Sequence, residues 1–213
     1  MSAFSEAITV ESPILDWLES PELGWRYEDS KAVAREYRIR RDDGAVDERE
    51  VLLLPILRER LISLNPEVIT DDERAERVIS RLRAERDNQE WLRWLRNEKT
   101  FKFAVDEPEE NVRLIDYDDL EANDFLATNQ FRVEGPRDNI RTDILLFVNG
   151  VPLVNIEAKT TGRDWHIDWT EGAKQCAPAF SRLTQPRLWA MLRTPLGAVP
   201  PTADAMLPSM TYR

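Results

Sequence analysis

Apolar residues recur at helical spacing through the first hundred positions and at shorter spacing beyond them. Ser12-Pro13 followed by Ile14, Leu15, Trp17 and Leu18 predicts a helix over 12–19, with a capping hydroxyl and a proline suited to the first turn. Gly24-Trp25 closes it, and residues 27–49, polar and mixed in sign, predict an exposed connection with at most a short helix. Leu53, Ile56, Leu57, Leu61 and Ile62 carry helical periodicity through 49–64, where Pro55 must lie in the first turn or kink the helix. Thr70 followed by Asp71, Asp72 and Glu73 marks a helix start, because carboxylates favour the free N–H groups of a first turn. That helix runs to about Arg86. A further one holds Trp91, Leu92, Trp94 and Leu95, a spacing that makes both tryptophans core or interface residues.

After Asn97 the period changes. Residues 101–105, 111–117, 124–133, 143–148 and 152–159 are short, β-branched or aromatic, and divided by turn residues, so they predict consecutive strands. Asn149-Gly150 between the last two is a strong hairpin signal. A helix over 169–177, ended by Pro178, is expected to follow. The order of helices, antiparallel-rich mixed sheet and final helix predicts an α/β (α+β) fold.

The chain has 213 residues, a formal net charge of -11 and one cysteine, Cys176. Its length suits a single globular domain with a tail, and its charge rules out a basic nucleic-acid coat. No apolar run approaches the roughly 20 residues of a membrane span, and residues 1–12 lack the basic head and apolar stretch of a secretory signal. A soluble, cytoplasmic protein is expected. With one cysteine and one histidine, His166, no Cys/His metal cluster can form, and His166 reads as a surface or loop residue. No phosphate-binding loop of the G-x-x-x-x-G-K-[ST] or G-x-G-x-x-G kind occurs. From Cys176 onward the composition breaks: those 38 residues hold 6 of the 13 prolines and a single acid, Asp204. The expected division is therefore a domain over 1–175 and a divergent tail over 176–213, whose prolines leave little room for long helices or central strands.

Side chains alternate along 152–159, which sets Leu153, Asn155, Glu157 and Lys159 on one face. Asp143 opens the partner strand at the end where Glu157 lies. Two carboxylates converging there, with an ammonium one pleat away, make a hard oxygen site of the kind that suits magnesium. A metal and a lysine together serve phosphodiester hydrolysis by activating water and offsetting charge on the phosphoryl group. The bare D-x(13)-E-x-K spacing also fits a strand cap and a solvent-facing ion pair.

The run from Arg141-Thr142-Asp143-Ile144 through Phe147-Val148-Asn149-Gly150-Val151-Pro152-Leu153 to Glu157-Ala158-Lys159 closely resembles the nuclease core of the R (restriction) subunit of type I restriction-modification enzymes. Val112 to Tyr117, Asn123-Asp124-Phe125 and Gln130 to Val133 look like that family's preceding strands, and Leu54-Pro55 to Asn65-Pro66 is similar to its helical lead-in. The resemblance covers roughly residues 5–175. It implies a restriction-endonuclease-like core of the PD-(D/E)xK superfamily that cuts DNA with magnesium. Asp143 and Glu157 match the metal ligands, Lys159 the catalytic lysine, and Gln175 the glutamine of a Q-x-x-x-Y motif whose tyrosine position is Ala179. It also implies a helicase motor and separate methyltransferase and specificity subunits, none encoded in these residues. The chain is thus expected to be the nuclease portion of such a subunit, with a truncated or frameshifted end. A catalytically silent relic or assembly module is the alternative.

Arg137, Arg141, Arg163 and Lys174 flank the matched residues and could hold DNA phosphates. Glu11 could supply an additional acid toward the metal, although a helix-capping role is the expectation. Register constrains the whole reading. A regular two-residue Asn149-Gly150 turn pairs positions summing to 299, which puts Asp143 and Glu157 on opposite faces. One shared cation requires an odd-length loop or a bulge, with Gly150 at positive φ and the carboxylates within about 6 Å.

Overall fold

The computed structural model describes residues 11–135 and 139–158. Five helices, α1 (Ser12–Leu18), α2 (Ser30–Glu36), α3 (Leu54–Leu64), α4 (Asp72–Ala84) and α5 (Asn88–Leu95), occupy the first part of the chain. A two-residue strand β1 (Arg26–Tyr27) lies between the first two. The strands β2 (Thr100–Lys102), β3 (Glu109–Asn111), β4 (Phe125–Asn129), β5 (Arg132–Glu134), β6 (Asn139–Arg141), β7 (Ile144–Val148) and β8 (Val151–Ile156) follow. Four of them form the main sheet in the order β1-β4-β7-β8, while β2–β3 and β5–β6 are separate ribbons. The sheet is mixed, with β1 parallel to β4 and the other pairs antiparallel, which makes the fold α+β as expected. No helix among the described residues is long and apolar enough to cross a membrane.

The helices begin where side chains satisfy their free N–H groups. Asp29 accepts from Lys31 and Ala32, Asp71 from Arg74, and Asp87 from Gln89, at 2.8–3.0 Å. In α4 the acids Asp72 and Glu73 and the bases Arg81 and Arg83 sit at opposite ends, each favourable to the helix dipole. Pro55 falls in the first turn of α3, where a missing N–H costs nothing.

β7 is buried along its whole length because both faces of the sheet are covered. Ile144 and Leu146 meet Leu15 and Leu18 of α1 on one face. Leu145 and Phe147 meet Val33 of α2, Leu53, Ile56 of α3, and Phe131 and Val133 on the other. The largest cluster joins α3, α4 and α5, with Trp91 and Trp94 inside it as expected, to Phe103, Val112, Leu114, Val148 and Val151.

Three expectations need correction. Residues 27–49 contain the short helix allowed for them, α2, but they are not wholly exposed, since Val33 is fully buried, and β1 at Arg26–Tyr27 leads into them. A two-residue strand has too few positions to show alternation. Residues 124–133 are two strands, not one, and β6 pairs with the second. Residues 112–117, expected as a strand, alternate only over Val112–Leu114 and then bury Ile115 as well, and no strand lies beside them. Their backbone groups are met instead by asparagine amides, which carry the same donor and acceptor as a peptide. Asn65 both donates to Arg113 O (2.9 Å) and accepts from Arg113 N (2.7 Å), and Asn97 does the same for Ile115 O (2.6 Å) and Leu114 N (2.9 Å). The helix expected over 169–177 and the tail over 176–213 lie outside the described residues.

The β7–β8 turn is buried. Asn149 and Gly150 have φ of 52° and 78°, the left-handed pair of a two-residue hairpin turn. Asn149 donates to Leu114 O and Asn123 Oδ1 and accepts from Asp124 N, all at 2.7–2.8 Å. Gly150 O accepts from Leu53 N (2.9 Å) at the head of α3. A Cβ on Gly150 would lie 2.6 Å from Leu53 O and 2.9 Å from Leu57 N.

Gly150→Ala is expected to lower stability by at least about 2 kcal/mol, combining left-handed backbone strain with a backbone clash. A denaturant midpoint shifted by less than that would show that α3 can yield. Hydrogen bonds from Ala32 and Lys31 to Asp29, and from Arg74 to Asp71, hold both carboxyls below the usual carboxylate range. Their contribution is present above the unfolded-state value and lost as pH falls through the lowered folded value. The destabilisation caused by Asp71→Ala should therefore be full at neutral pH and shrink as acidification takes the carboxyl below its lowered folded value.

Candidate functional site

Register runs outward from the buried turn. Val148 pairs with Val151 and Phe147 with Pro152, sums of 299, but Leu146 pairs with Val154, Leu145 with Asn155 and Ile144 with Ile156, sums of 300. The extra residue is Leu153, a bulge opposite the Leu146–Phe147 step. The last pair, Ile144 with Ile156, leaves Asp143 and Glu157 as the next residues outward on the two chains. Asp143 Oδ2 accepts from Ala158 N at 2.8 Å, which draws its carboxylate against the backbone following Glu157. The expected bulge is thus present alongside a two-residue turn, and Gly150 has its expected positive φ. Leu153 is skipped by the pairing, so it does not share the ladder position expected of it beside Asn155 and Glu157.

A second irregularity adjoins the first. β4–β5 and β6–β7 keep one register, from Phe125 with Val148 to Glu134 with Asn139, every pair summing to 273. Between the two halves Gln130 stands at φ 52°. Its N–H donates to Asp143 O (2.9 Å), and Thr142 N donates to Phe131 O (3.0 Å). Upstream of Gln130, Leu126 faces the α2 side of the sheet; downstream, Phe131 and Val133 join that same cluster although they have the other parity. One left-handed residue therefore inverts the faces without changing the register.

The Gln130 side chain is fixed as well. Its amide nitrogen donates to both carboxylate oxygens of Glu11, at 3.1 and 3.0 Å. Glu11 is buried, 4% exposed, and makes no capping hydrogen bond to α1, contrary to the capping role expected of it. The N-cap position holds helical backbone, so the carboxylate points away from the first-turn N–H groups. Burial first, then the Asp29, Glu19 and Glu11 carboxylates, push the Tyr27 phenol above its ordinary value at this end of the sheet. Glu11 could be singled out in the sequence as a candidate acid, whereas Gln130 could not; its only trace was a long polar side chain directly after a buried strand.

Asp143 and Glu157 are half-buried and Arg141 is exposed. Lys159, Gln175, Arg137, Arg163 and Lys174 lie outside the described residues, as do His166, Cys176 and Ala179. Among the described residues no three His, Cys, Asp or Glu side chains converge as a metal cage. Two opposed carboxylates fit the demands of magnesium, which takes one or two and keeps waters or substrate phosphates in its remaining positions.

A family model described as the type I restriction enzyme R protein N terminus matches residues 3–188. A Methanocaldococcus jannaschii protein, provisionally named type I restriction enzyme MjaVIIIP endonuclease subunit, is 35% identical over 115 residues, 51% of this chain and 11% of that protein. The similarly named MjaVIIP subunit of the same organism is 42% identical over 57 residues, 26% of this chain and 5% of that protein. The matched part thus spans about a tenth or less of these relatives' length.

The register is open to a direct chemical test. In a Cys176→Ala background, Asp143→Cys with Glu157→Cys should close an intramolecular disulfide on mild oxidation, since opposed antiparallel positions have Cα atoms about 4.5–5.5 Å apart, within disulfide range. The competing arrangement is an unbroken ladder with a sum of 299, which would oppose Asp143 to Ile156, so in the same background Asp143→Cys with Ile156→Cys should close far less. Equal or greater disulfide yield for the Asp143–Ile156 pair, by mass spectrometry, would refute the role of the bulge.

Proposed function

The chain belongs to the type I restriction enzyme R protein N-terminal family, and on that premise we propose that it is a magnesium-dependent DNA endonuclease domain. The observation that carries the reading is the bulge-corrected register opposing Asp143 to Glu157. Asp143 and Glu157 would hold the cation, Asp143 in an orientation fixed by Ala158 N and by the hydrogen bond from Gln130 N to its own carbonyl. Magnesium, when bound, supplies Lewis acidity to the phosphoryl oxygens and to an attacking water. Lys159, two residues past Glu157, would offer its ammonium to the charge gathering on the phosphoryl oxygens as the P–O bond to the leaving strand breaks. Gln175 is assigned to the same catalytic group by its motif position. Arg137, Arg141, Arg163 and Lys174 are assigned to backbone phosphates.

The partners in this reading are DNA and, in a complete system, the methyltransferase and specificity subunits, in the cytoplasm. Target recognition and its coupling to translocation would belong to those partners and to the remaining length of the relatives.

Supercoiled plasmid nicking by the purified chain tests the proposal. Magnesium-dependent nicking should fall at least about 100-fold in Asp143→Ala, Glu157→Ala and Lys159→Ala. Circular dichroism should be unchanged in all three, since Asp143 and Glu157 are only half-buried. Equal nicking by wild type and all three variants would reject the catalytic assignment and favour a structural or assembly role.

A further inference from the structure

The ribbon β5–β6 carries an arrangement that neither the register nor the proposed chemistry of Asp143 and Glu157 requires. Arg132 and Arg141 are direct cross-strand partners and both are exposed. Like charges at directly opposed positions of an antiparallel pair are destabilising, since their Cβ atoms stand about 4.5–5.5 Å apart. Neither guanidinium makes an ion pair or side-chain hydrogen bond among the described residues, although Arg41 and Arg49, which reach the same ribbon, are both engaged. The one acid on the ribbon, Glu134, is already taken by Arg41 (3.3 Å) and Arg49 (2.8 Å). Beneath the ribbon a further guanidinium, Arg38, stacks 4.4 Å over Phe131 and donates only to backbone carbonyls, including Arg132 O (2.8 Å). Carboxylates lie here too, Asp47, Glu48 and Glu50 around Arg38 and Glu134 between Arg41 and Arg49, which leaves the exposed Arg132–Arg141 pair standing two residues before Asp143.

We infer that Arg132 and Arg141 form a phosphate clamp that grips a DNA backbone phosphate beside the Asp143–Glu157 pair. A bridging phosphodiester turns the opposed guanidiniums from a repulsive pair into two charge-assisted donors on one anion. The inversion at Gln130 makes this possible: it turns Phe131 and Val133 into the core and leaves Arg132 and Arg141 outside. Two residues of extended chain span at most about 7 Å, so a phosphate on Arg141 lies within reach of a neighbour held at Asp143. The clamp rests on the nuclease reading for the identity of its polymer, but binding can be measured without cleavage.

The test is fluorescence anisotropy of a labelled DNA duplex with the full chain, without divalent cation, over a series of salt concentrations. Arg132→Gln and Arg141→Gln should each weaken binding several-fold, and the pair together should reduce the slope of log K against log salt by about 0.9 for each phosphate left without its arginine. Arg86→Gln, on an exposed site beyond α4, should change neither. Arg132→Glu is the sharper variant: opposite Arg141 it creates a cross-strand ion pair, so thermal stability should rise while DNA binding falls. Wild-type affinity and slope in all the ribbon variants, or no DNA binding by the wild-type chain, would overturn the clamp. Competition by inorganic phosphate beyond that of chloride at equal ionic strength would overturn the backbone assignment in favour of free phosphate. Plasmid nicking that needs Asp143 but ignores the ribbon variants would keep the nuclease reading and remove the clamp alone.

Discussion

The pairing of Val148 with Val151 across a turn that cannot move is the constraint on which the sheet depends. Gly150 is wedged against the first turn of α3, where a single added carbon would collide with the Leu53 carbonyl, and Asn149 is tied to Leu114, Asn123 and Asp124. The hairpin therefore has no freedom to slide at its closed end. Any register correction has to be made along the strands, and Leu153 makes it. The geometry at Asp143 is consequently set by packing at the far end of the sheet, around helix α3 and the asparagine network that replaces a strand beside residues 112–117.

Much of this was legible in the sequence, for physical reasons specific to each element. The caps and charge distribution of α4, the periodicity of α3 and α5, and the Asn-Gly turn are local signals, and each locates its element to within a few residues. The requirement for a bulge followed from arithmetic: a two-residue turn and a shared cation are incompatible in an unbroken ladder. What escaped reading was non-local. β1 is two residues long and exists because Arg26 and Tyr27 meet Leu126 and Ala127. The stretch 112–117 resembles a strand in its apolar residues, while its hydrogen bonds come from Asn65, Asn97, Asn123 and Asn149. The break at Gln130 depends on Glu11, which no local pattern connects to it. At the site, the Asp143–Glu157 opposition could be anticipated, whereas the cross-strand placement of Arg132 and Arg141 depends on β6, which was not expected.

The two irregular positions divide the labour of building one corner of the molecule. Leu153 adds a residue and changes which side chains oppose one another. Gln130 adds none and changes which side chains face out. Leu153 sets the register that runs out to Asp143 and Glu157, and Gln130 leaves Arg132 and Arg141 exposed two residues away.

The edge strand β1 also gives this corner a history. Asp143 and Glu157 are joined by a short hairpin that can close early and alone, whereas Glu11 reaches Gln130 across a separation of 119 residues, with α1, the two residue pairs of β1 and the contacts of Trp25 and Arg26 with Phe125 and Asp124 to hold it. Closing a loop of that length costs about 4 kcal/mol of chain entropy, and its few apolar contacts offset that cost only once the sheet exists. The N-terminal arm is thus the last piece to dock and the first to leave. Native-state hydrogen exchange would see it as a separate opening unit, in which the carboxylate pair outlives the buried acid that steadies its neighbour.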